Sequence, residues 1–360
     1  MLVDHRKLEL EGKVKQDRGH AAGVANALPL NQDDSTCHVF LSPKRLRRAA
    51  SLPIIIIGLM LCANQDTCRA QDLTPRAYVI TPIHSNAIVI TYSFEEGDIL
   101  LNPTLPIANS KGKLNIPILS YFHTFSLLGR SANITAVLPY ASGHFQGTVN
   151  GVPQTIYRSG LLDSGYRFSI NLMGGPAMDV KQYASWKQKL LIGASLTVTA
   201  PTGQYDPRVL VNTGTNRWAI KPEIGLSRRW GHWLVDAYGG VWFFTENSEF
   251  FSHNKEFPGT NTRSQSPLGA VEAHLSYDIK QRLWISADGN YWYGGKITLN
   301  GTESPGTLEA NSRYGVTASL PISKHQSIKL SYSYGAVVRV GGNYHNLSIG
   351  WQYSWLGRPN

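Results

Sequence analysis

The chain has no cysteine after residue 70, because its three cysteines are Cys37, Cys62 and Cys68. The remaining 290 residues therefore fold without disulfides and without a cysteine-based zinc site. The same part of the chain contains all nine tryptophans and all seventeen tyrosines. The amino-acid composition of the chain therefore changes near residue 70.

The part after residue 70 also has no run of apolar residues long enough for a transmembrane helix, which needs about 20. If this part enters a membrane, it must do so as β-strands, since only helices and closed barrels satisfy the backbone in lipid. The formal net charge of +10 is not gathered into a basic stripe. This distribution argues against nucleic-acid binding.

Residues 44–70 have the order of a secretory signal. The basic block Lys44–Arg48 precedes an apolar run from Leu52 to Ala63, and small residues flank Arg69. The run is too short to span a bilayer, and Leu61 before Cys62 argues against lipid attachment. We expect a Sec-type signal peptide over 44–70, cleaved after Ala70. The polar, aperiodic residues 1–43 predict a disordered extension or a misassigned start, and 71–360 is the exported body.

Hydrophobicity in the body alternates with a period of two. From Leu190 to Ala200 the even positions are apolar, whereas the odd positions are mostly glycine, serine and threonine. The same alternation recurs over 327–340 and 346–355, and with more noise in five further segments. Only a β-strand separates two such sets of side chains onto opposite faces.

A soluble β-sandwich also alternates, so other features must separate it from a membrane barrel. Here the polar faces carry many charges, aromatic residues lie near strand ends, and short turns alternate with long polar segments. We expect long loops over 95–112, 148–159, 202–216, 245–264 and 294–310. A short helix is expected over 179–187. The pattern predicts an all-β fold, a transmembrane antiparallel up-and-down barrel of about twelve strands, with short turns in the periplasm.

The body resembles the outer-membrane transporters of the "MetA-pathway of phenol degradation" family. The likeness begins at Gln71–Tyr78, is strongest over Gly193–Pro207, and continues through Gly214–Trp218, Gly240–Thr245 and Ala273–Leu275. The resemblance implies an outer-membrane barrel and uptake of small organic compounds, including aromatic ones. It supplies no catalytic or substrate-binding residues.

Strand register predicts which charged side chains face the barrel lumen. The bore of a twelve-strand barrel is wider than a lumen that side chains fill completely and narrower than an open aqueous channel. The inward charges either pair across the lumen and brace it, or line a solute path and set selectivity. His274, two positions from Glu272, is a candidate proton-sensitive group, although a structural histidine is the alternative. The lumen-lining candidates are Asp163, Arg167, Lys221, Glu223, Arg229, Asp236, Glu272, His274, Asp288, Arg313, Lys329 and Arg339.

The sequence offers no sign of catalysis, of a metal site or of a cofactor site. The outward strand faces are almost purely apolar, and no serine stands in a nucleophile-elbow motif. Histidines lack metal-ligand spacing, and phosphate-binding glycine loops are absent from the sequence. We therefore expect no enzyme and no cofactor.

The sequence thus predicts a Gram-negative outer-membrane channel for passive uptake of small organic solutes, including aromatic or hydrophobic ones, with the loop Thr245–Arg263 as its constriction. The alternative is a closed structural or adhesive barrel with a blocked lumen and surface-binding loops. The expected partners are outer-membrane lipid, lipopolysaccharide, a small-molecule solute and the barrel-assembly machinery through the C-terminal strand, without nucleic acid.

Overall fold

The computed structural model describes residues 73–100, 107–149, 152–250 and 262–357. The predicted signal peptide, its cleavage site and the N-terminal extension lie outside the described residues. Within the described part, no helix has the length and apolar character to cross a membrane.

Sixteen strands and one short helix, α1 (Val180–Ser185), make up the described regular structure. Asp179 caps the helix by accepting a 2.7 Å hydrogen bond from the backbone N–H of Gln182, and the helix lies within the predicted range 179–187. The strands are β1 (Ser85–Leu100), β2 (Ile107–Leu127), β3 (Arg130–Val149), β4 (Val152–Leu161), β5 (Ser164–Met173), β6 (Leu190–Ala200), β7 (Ala219–Trp230), β8 (Trp233–Phe244), β9 (Arg263–Gln265), β10 (Leu268–Lys280), β11 (Leu283–Gly294), β12 (Ile297–Leu299), β13 (Thr302–Glu303), β14 (Glu309–Pro321), β15 (Gln326–Val337) and β16 (Gly341–Leu356).

Thirteen of these strands form one antiparallel barrel that has twelve strand positions around its circumference. Strands β4 and β5 both pair with β3 and together occupy one position, and β9, β12 and β13 form a separate small sheet. Closure occurs between the first and last strands, where Ser85 pairs with Leu356 and Leu100 with Gly341. A closed barrel has no free strand edge, which is what a hydrocarbon environment requires. The predicted twelve-strand barrel is confirmed.

The two faces of the wall are those that the alternation predicts. On β7 the apolar Ile224 is 63% exposed, whereas the neighbouring Glu223 is 8% exposed. The charged side chain is therefore buried while the large apolar side chain is exposed, which is the reverse of the pattern in a soluble protein. The exposed apolar side faces lipid, and the enclosed polar side faces the lumen.

The strands are longer than we expected at one end of the barrel. We predicted loops over 95–112 and 148–159, but β1, β2, β3 and β4 occupy most of both ranges. There the outward face carries charged side chains, such as Glu96 and Lys113 at 3.4 Å, so the apolar signal of a strand is lost. The range 294–310 likewise contains β12 and β13.

The opposite end carries the short turns at 127–130, 230–233, 280–283 and 321–326, together with the segment 174–189. Barrels of this class place such turns in the periplasm. We call this the periplasmic end, and the end with extended strands the extracellular end.

Candidate functional site

We call the described chain before β1, Leu73–His84, the N-terminal segment, and its part around Arg76 and Tyr78 lies inside the barrel. Its side chains contact the lumen-facing residues of β5, β6, β7, β8, β10 and β11. These contacts are with the polar, enclosed side of each strand, not with the lipid-facing side. The lumen is therefore occupied by the protein's own chain.

Tyr78 is the centre of this contact and is 1% exposed. Its hydroxyl donates a 3.0 Å hydrogen bond to Glu223 Oε1 and lies 3.0 Å from Ser195 Oγ. The ring packs edge-on against Tyr238, with centroids 5.1 Å apart. The guanidinium of Arg167 lies 4.9 Å from the Tyr78 ring centroid.

Two inward-facing glycines make room for the Tyr78 ring. A Cβ on Gly193 would lie 2.4 Å from the ring, and one on Gly225 would lie 2.0 Å from it. These positions pair with each other across β6 and β7. Glycine inside a strand often marks the close approach of another chain, which is its role here.

Arg76 connects the N-terminal segment to the adjoining part of the wall, on β8, β10 and β11. Its guanidinium lies 2.8 Å from Asp278 Oδ1 and 4.2 Å from the ring centroid of Trp284. Its backbone N–H donates to Asp236 Oδ2 at 3.2 Å. Arg229 also binds Asp278, so one carboxylate holds two guanidinium groups.

The segment leaves the lumen through an apolar contact at the periplasmic end. Ile80, Met178 and Leu191 form a buried cluster against which Tyr183 and Trp186 pack. The backbone N–H of Ile83 donates to Met178 O at 2.9 Å. The segment 174–189, which contains the short helix α1, thus covers the entry of the N-terminal segment.

A second network of charges lies on β7, β10 and β11 beside the N-terminal segment. Lys221 Nζ lies 2.7 Å from Glu223 and 3.7 Å from Glu272. His274, whose side chain is 0% exposed, lies 2.9 Å from Asp288 and 3.5 Å from Glu272. Opposite charges in this enclosed space compensate one another, as buried charges require.

The structure brings together most of the residues that strand register singled out. Eight of them, Arg167, Lys221, Glu223, Asp236, Glu272, His274, Asp288 and Arg313, are buried or half-buried on the lumen side. Arg229 joins them near the periplasmic end through Asp278. That any of them lines a solute path stays a prediction.

Three of the candidates lie apart from this network. Asp163 stands at the break between β4 and β5, where it accepts hydrogen bonds from the backbone of Gly203 and Thr215 at 2.9 Å each. It therefore holds the loop 201–218 at the extracellular end. Lys329 on β15 is exposed, and Arg339 is exposed in the short turn between β15 and β16.

The loop held by Asp163 carries an exposed ion pair outside the membrane-spanning strands. Arg208 donates to both carboxylate oxygens of Asp206, with a shortest distance of 2.8 Å. These hydrogen bonds from the Arg208 side chain and backbone lower the pKa of Asp206 to about 2.

Aromatic rings line the extracellular half of the lumen. Leu268, Ala270 and Trp292 form a buried cluster, and Trp242 and Phe244 pack against it. The Trp292 indole donates a 3.0 Å hydrogen bond to Glu309, while the Arg217 guanidinium lies 4.4 Å from the Phe244 ring centroid. We call this set the aromatic vestibule.

The lipid-facing wall has a groove across β6, β7, β8, β10 and β11, with a volume of about 690 Å³. Small residues, among them Ala194, Gly239 and Gly269, form its floor. Between Ile220 and Glu223 the pairing of β7 with β8 is interrupted, and Pro222 lies in the gap. Proline has no N–H to donate to a ladder. The wall is therefore thin and incompletely bonded here, and we call this place the seam.

We found no group of histidine, cysteine or carboxylate side chains able to hold a metal ion in the part of the chain that the structure describes. Sequence patterns missed Arg76 and Tyr78, because the N-terminal segment has no strand periodicity. The signal that could have located it is the pair of inward glycines, Gly193 and Gly225, on adjacent strands.

Comparison with known proteins agrees with this architecture. The crystal structure of an outer membrane channel from Pseudomonas putida F1 superposes with a TM-score of 0.64 at 17% identity, covering 79% of this chain and 100% of that one. The β domain of the Bordetella autotransporter BrkA is similar at a TM-score of 0.46 and 13% identity, covering 76% of this chain and 100% of that one. A search of curated proteins found no match.

The likeness to the Pseudomonas channel, at this identity, concerns the fold. The family assignment comes from the sequence itself, because a family model matches residues 104–342, which is most of the barrel. The predicted family is confirmed, and the chain belongs to the MetA-pathway of phenol degradation family.

Proposed function

We propose that the protein is a passive outer-membrane channel for small organic solutes of apolar or aromatic character, closed in this state by its N-terminal segment. The observation that carries the proposal is the filling of a twelve-strand lumen by residues Leu73–His84 through largely polar contacts. A lumen of this width would leave a passage if the segment moved.

The N-terminal segment is suited to movement. It joins the barrel covalently at Ser85 alone, where β1 begins. Its contacts around Arg76 and Tyr78 include hydrogen bonds and an ion pair, for which water can substitute, beside ring contacts with Tyr238 and Trp284. The apolar cluster around Ile80 lies at the periplasmic end, where a hinge would leave the lumen clear.

The aromatic vestibule supports the apolar or aromatic character of the solute. Trp242 and Phe244 lie with ring centroids 6.4 Å apart and an interplanar angle of 14°. Binding sites for small organic molecules are typically lined by such rings with a few polar groups. Lys221, whose Nζ lies 5.3 Å from the Trp242 ring centroid, and Arg217 would supply those polar groups.

The seam supports the same solute class from the other side of the wall. A hydrophobic molecule in the lumen would leave more readily into lipid than into water. The groove at the seam is mainly apolar, and Pro222 and Val241 stand where a strand pair would otherwise be bonded. We infer that apolar solutes leave the barrel here.

The alternative function is a closed structural or adhesive barrel. The filled lumen is the observation that favours it, since every contact of Tyr78 and Arg76 contributes to a blocked bore. The two functions differ in one respect: a channel passes solute and a structural barrel does not.

Uptake by liposomes carrying the purified barrel separates them. The solutes should be matched in size and differ in polarity, for example a substituted phenol, a short alkanol and a sugar. The channel proposal predicts protein-dependent uptake of the phenol and the alkanol above that of the sugar. Equal uptake with and without protein for all three, by a barrel whose heat-modifiable mobility shows correct folding, would contradict it and support the structural barrel.

A further inference from the structure

The periplasmic end of the barrel has a strong excess of positive charge. Its turns and the segment 174–189 carry seven exposed lysines and arginines, whereas the carboxylate in these described segments is that of Asp179. At the extracellular end, in contrast, exposed cations face carboxylates: Lys111 lies 3.8 Å from Asp98 and Lys113 lies 3.4 Å from Glu96.

Three of these cations, together with exposed Arg228 near the end of β7, lie along neighbouring strand ends on one side of the rim. The backbone N–H of Arg229 donates to Lys189 O at 2.8 Å, which places Lys189 opposite Arg229 and one residue away from Arg228 along the rim, with Lys187 two residues before it in the chain. The backbone N–H of Asp278 donates to His232 O at 2.8 Å, which brings the end of β10, with Lys280, against the next turn. We call Lys187, Lys189, Arg228 and Lys280 the basic rim.

The basic rim lies at the height of the membrane interface. Arg228 shares the lipid-facing side of β7 with Ile224 and Leu226, and its guanidinium lies 4.8 Å from the ring centroid of Trp230. Trp230 and Trp233 are both about half exposed on that side. Amphipathic rings of this kind mark the level of the lipid headgroups.

No member of the basic rim forms an ion pair with a residue that the structure describes. All four side chains are exposed. Cations that stand among interfacial tryptophans without protein carboxylates are complementary to anionic lipid headgroups, and each one adds to membrane affinity.

We propose that the basic rim is a binding site for anionic phospholipid headgroups of the inner leaflet of the outer membrane. The phosphate of a lipid such as phosphatidylglycerol would lie between Arg228 and Lys189, with its acyl chains along Ile224 and Leu226. The guanidinium of Arg228, held over Trp230, offers several N–H donors to phosphate oxygens. This inference does not depend on whether the barrel conducts solutes.

The test compares lipids in native mass spectrometry of the full barrel in detergent micelles. We expect dioleoylphosphatidylglycerol to remain bound where dioleoylphosphatidylcholine does not, and to raise the unfolding temperature more at low salt than at high salt. The variant R228Q/K189Q should bind phosphatidylglycerol roughly tenfold more weakly. The control K111Q/K113Q removes the same charge at the extracellular end and should bind like the wild type.

Two results would overturn the proposal. One is equal retention of phosphatidylglycerol and phosphatidylcholine by the wild-type barrel, which would mean that the excess positive charge binds an acidic partner other than lipid. The other is equal binding by R228Q/K189Q and K111Q/K113Q. Heat-modifiable mobility reports whether each variant is folded, and K187Q/K280Q provides a second variant of the same rim if the first fails to fold.

Discussion

Tyr78 and Glu223 are joined by a 3.0 Å hydrogen bond from the phenol to the carboxylate, although 145 residues separate them in the chain. The other oxygen of the same carboxylate lies 2.7 Å from Lys221 Nζ. Glu223 is therefore the point at which the charge network of the lumen wall meets the N-terminal segment. A substitution at Tyr78 should therefore weaken the binding of the N-terminal segment more than it weakens the fold of the barrel.

Replacement of Tyr78 by phenylalanine should loosen the N-terminal segment and leave the barrel intact. The variant keeps the ring but removes the hydroxyl that contacts Glu223 and Ser195. A buried polar group that loses its partner costs about 1–3 kcal/mol. We expect faster proteolysis within the segment at an unchanged barrel unfolding temperature. Tyr92→Phe is the control, because its hydroxyl bonds to Asn115 on the exposed outer face. Equal proteolysis of both variants would contradict the assigned role of Tyr78.

Gly225→Ala should expel the Tyr78 ring by steric contact. The added Cβ would lie 2.0 Å from the ring, a distance that forces one of the two to move. The strand is held by the barrel ladder on both sides, so the segment should yield. Gly239→Ala is the matched control, since nothing lies within 4 Å of its added Cβ. Hydrogen exchange of residues 73–84 measures the outcome, and we expect faster exchange in Gly225→Ala than in the wild type. Equal protection of these residues in the two proteins would refute the prediction.

The loop at the extracellular end should show a strongly acidic carboxyl group. Hydrogen bonds from Arg208 lower the pKa of Asp206 to about 2, below the value of about 3.8 for a free aspartate. Because the folded pKa is depressed, the stabilisation by this pair is present above about pH 4 and is lost as pH falls through about 2. NMR titration of the Asp206 carboxyl should give a midpoint near 2, which returns toward 4 in Arg208→Gln. A midpoint near 4 in the wild type would show that the pair does not form in solution.

A disulfide across the seam should block the exit of apolar solutes. The variant P222C/V241C places two cysteines opposite each other by the register of β7 and β8, and residues 71–360 contain no competing thiol. Oxidation should lower liposome uptake of a hydrophobic solute severalfold, and reduction should restore it. The control I285C/A318C joins directly paired residues of β11 and β14, where the ladder is continuous. Uptake that ignores the redox state of P222C/V241C would rule out the seam as the exit.

The sequence predicts the fold well wherever lipid contacts the wall. Strands such as β6 and β16 alternate cleanly because one face must be apolar and the other polar. The prediction of loops at 95–112 and 148–159 was wrong because this alternation depends on contact with lipid. Where β1–β4 extend past the lipid, both of their faces are polar. Period two is then no longer visible in hydrophobicity.

The site was predictable only in part. Register alone placed Glu223, Glu272 and His274 on one side of the wall, because side-chain direction follows directly from strand parity. The occupant of the lumen was not predictable in this way, since Arg76 and Tyr78 belong to an irregular segment whose position depends on distant contacts. The predicted constriction, Thr245–Arg263, lies largely outside the described residues and stays a prediction.

The claim that the N-terminal segment closes the bore is tested most directly by single-channel conductance. The barrel of residues 71–360 and a variant lacking residues 71–82 should be compared in the same planar bilayers, after heat-modifiable mobility has shown both to be folded. We predict rare or very small steps for the full barrel and frequent steps of severalfold larger conductance for the shortened one. Equal conductance of the two proteins, or silence of a correctly folded shortened barrel, would contradict the account.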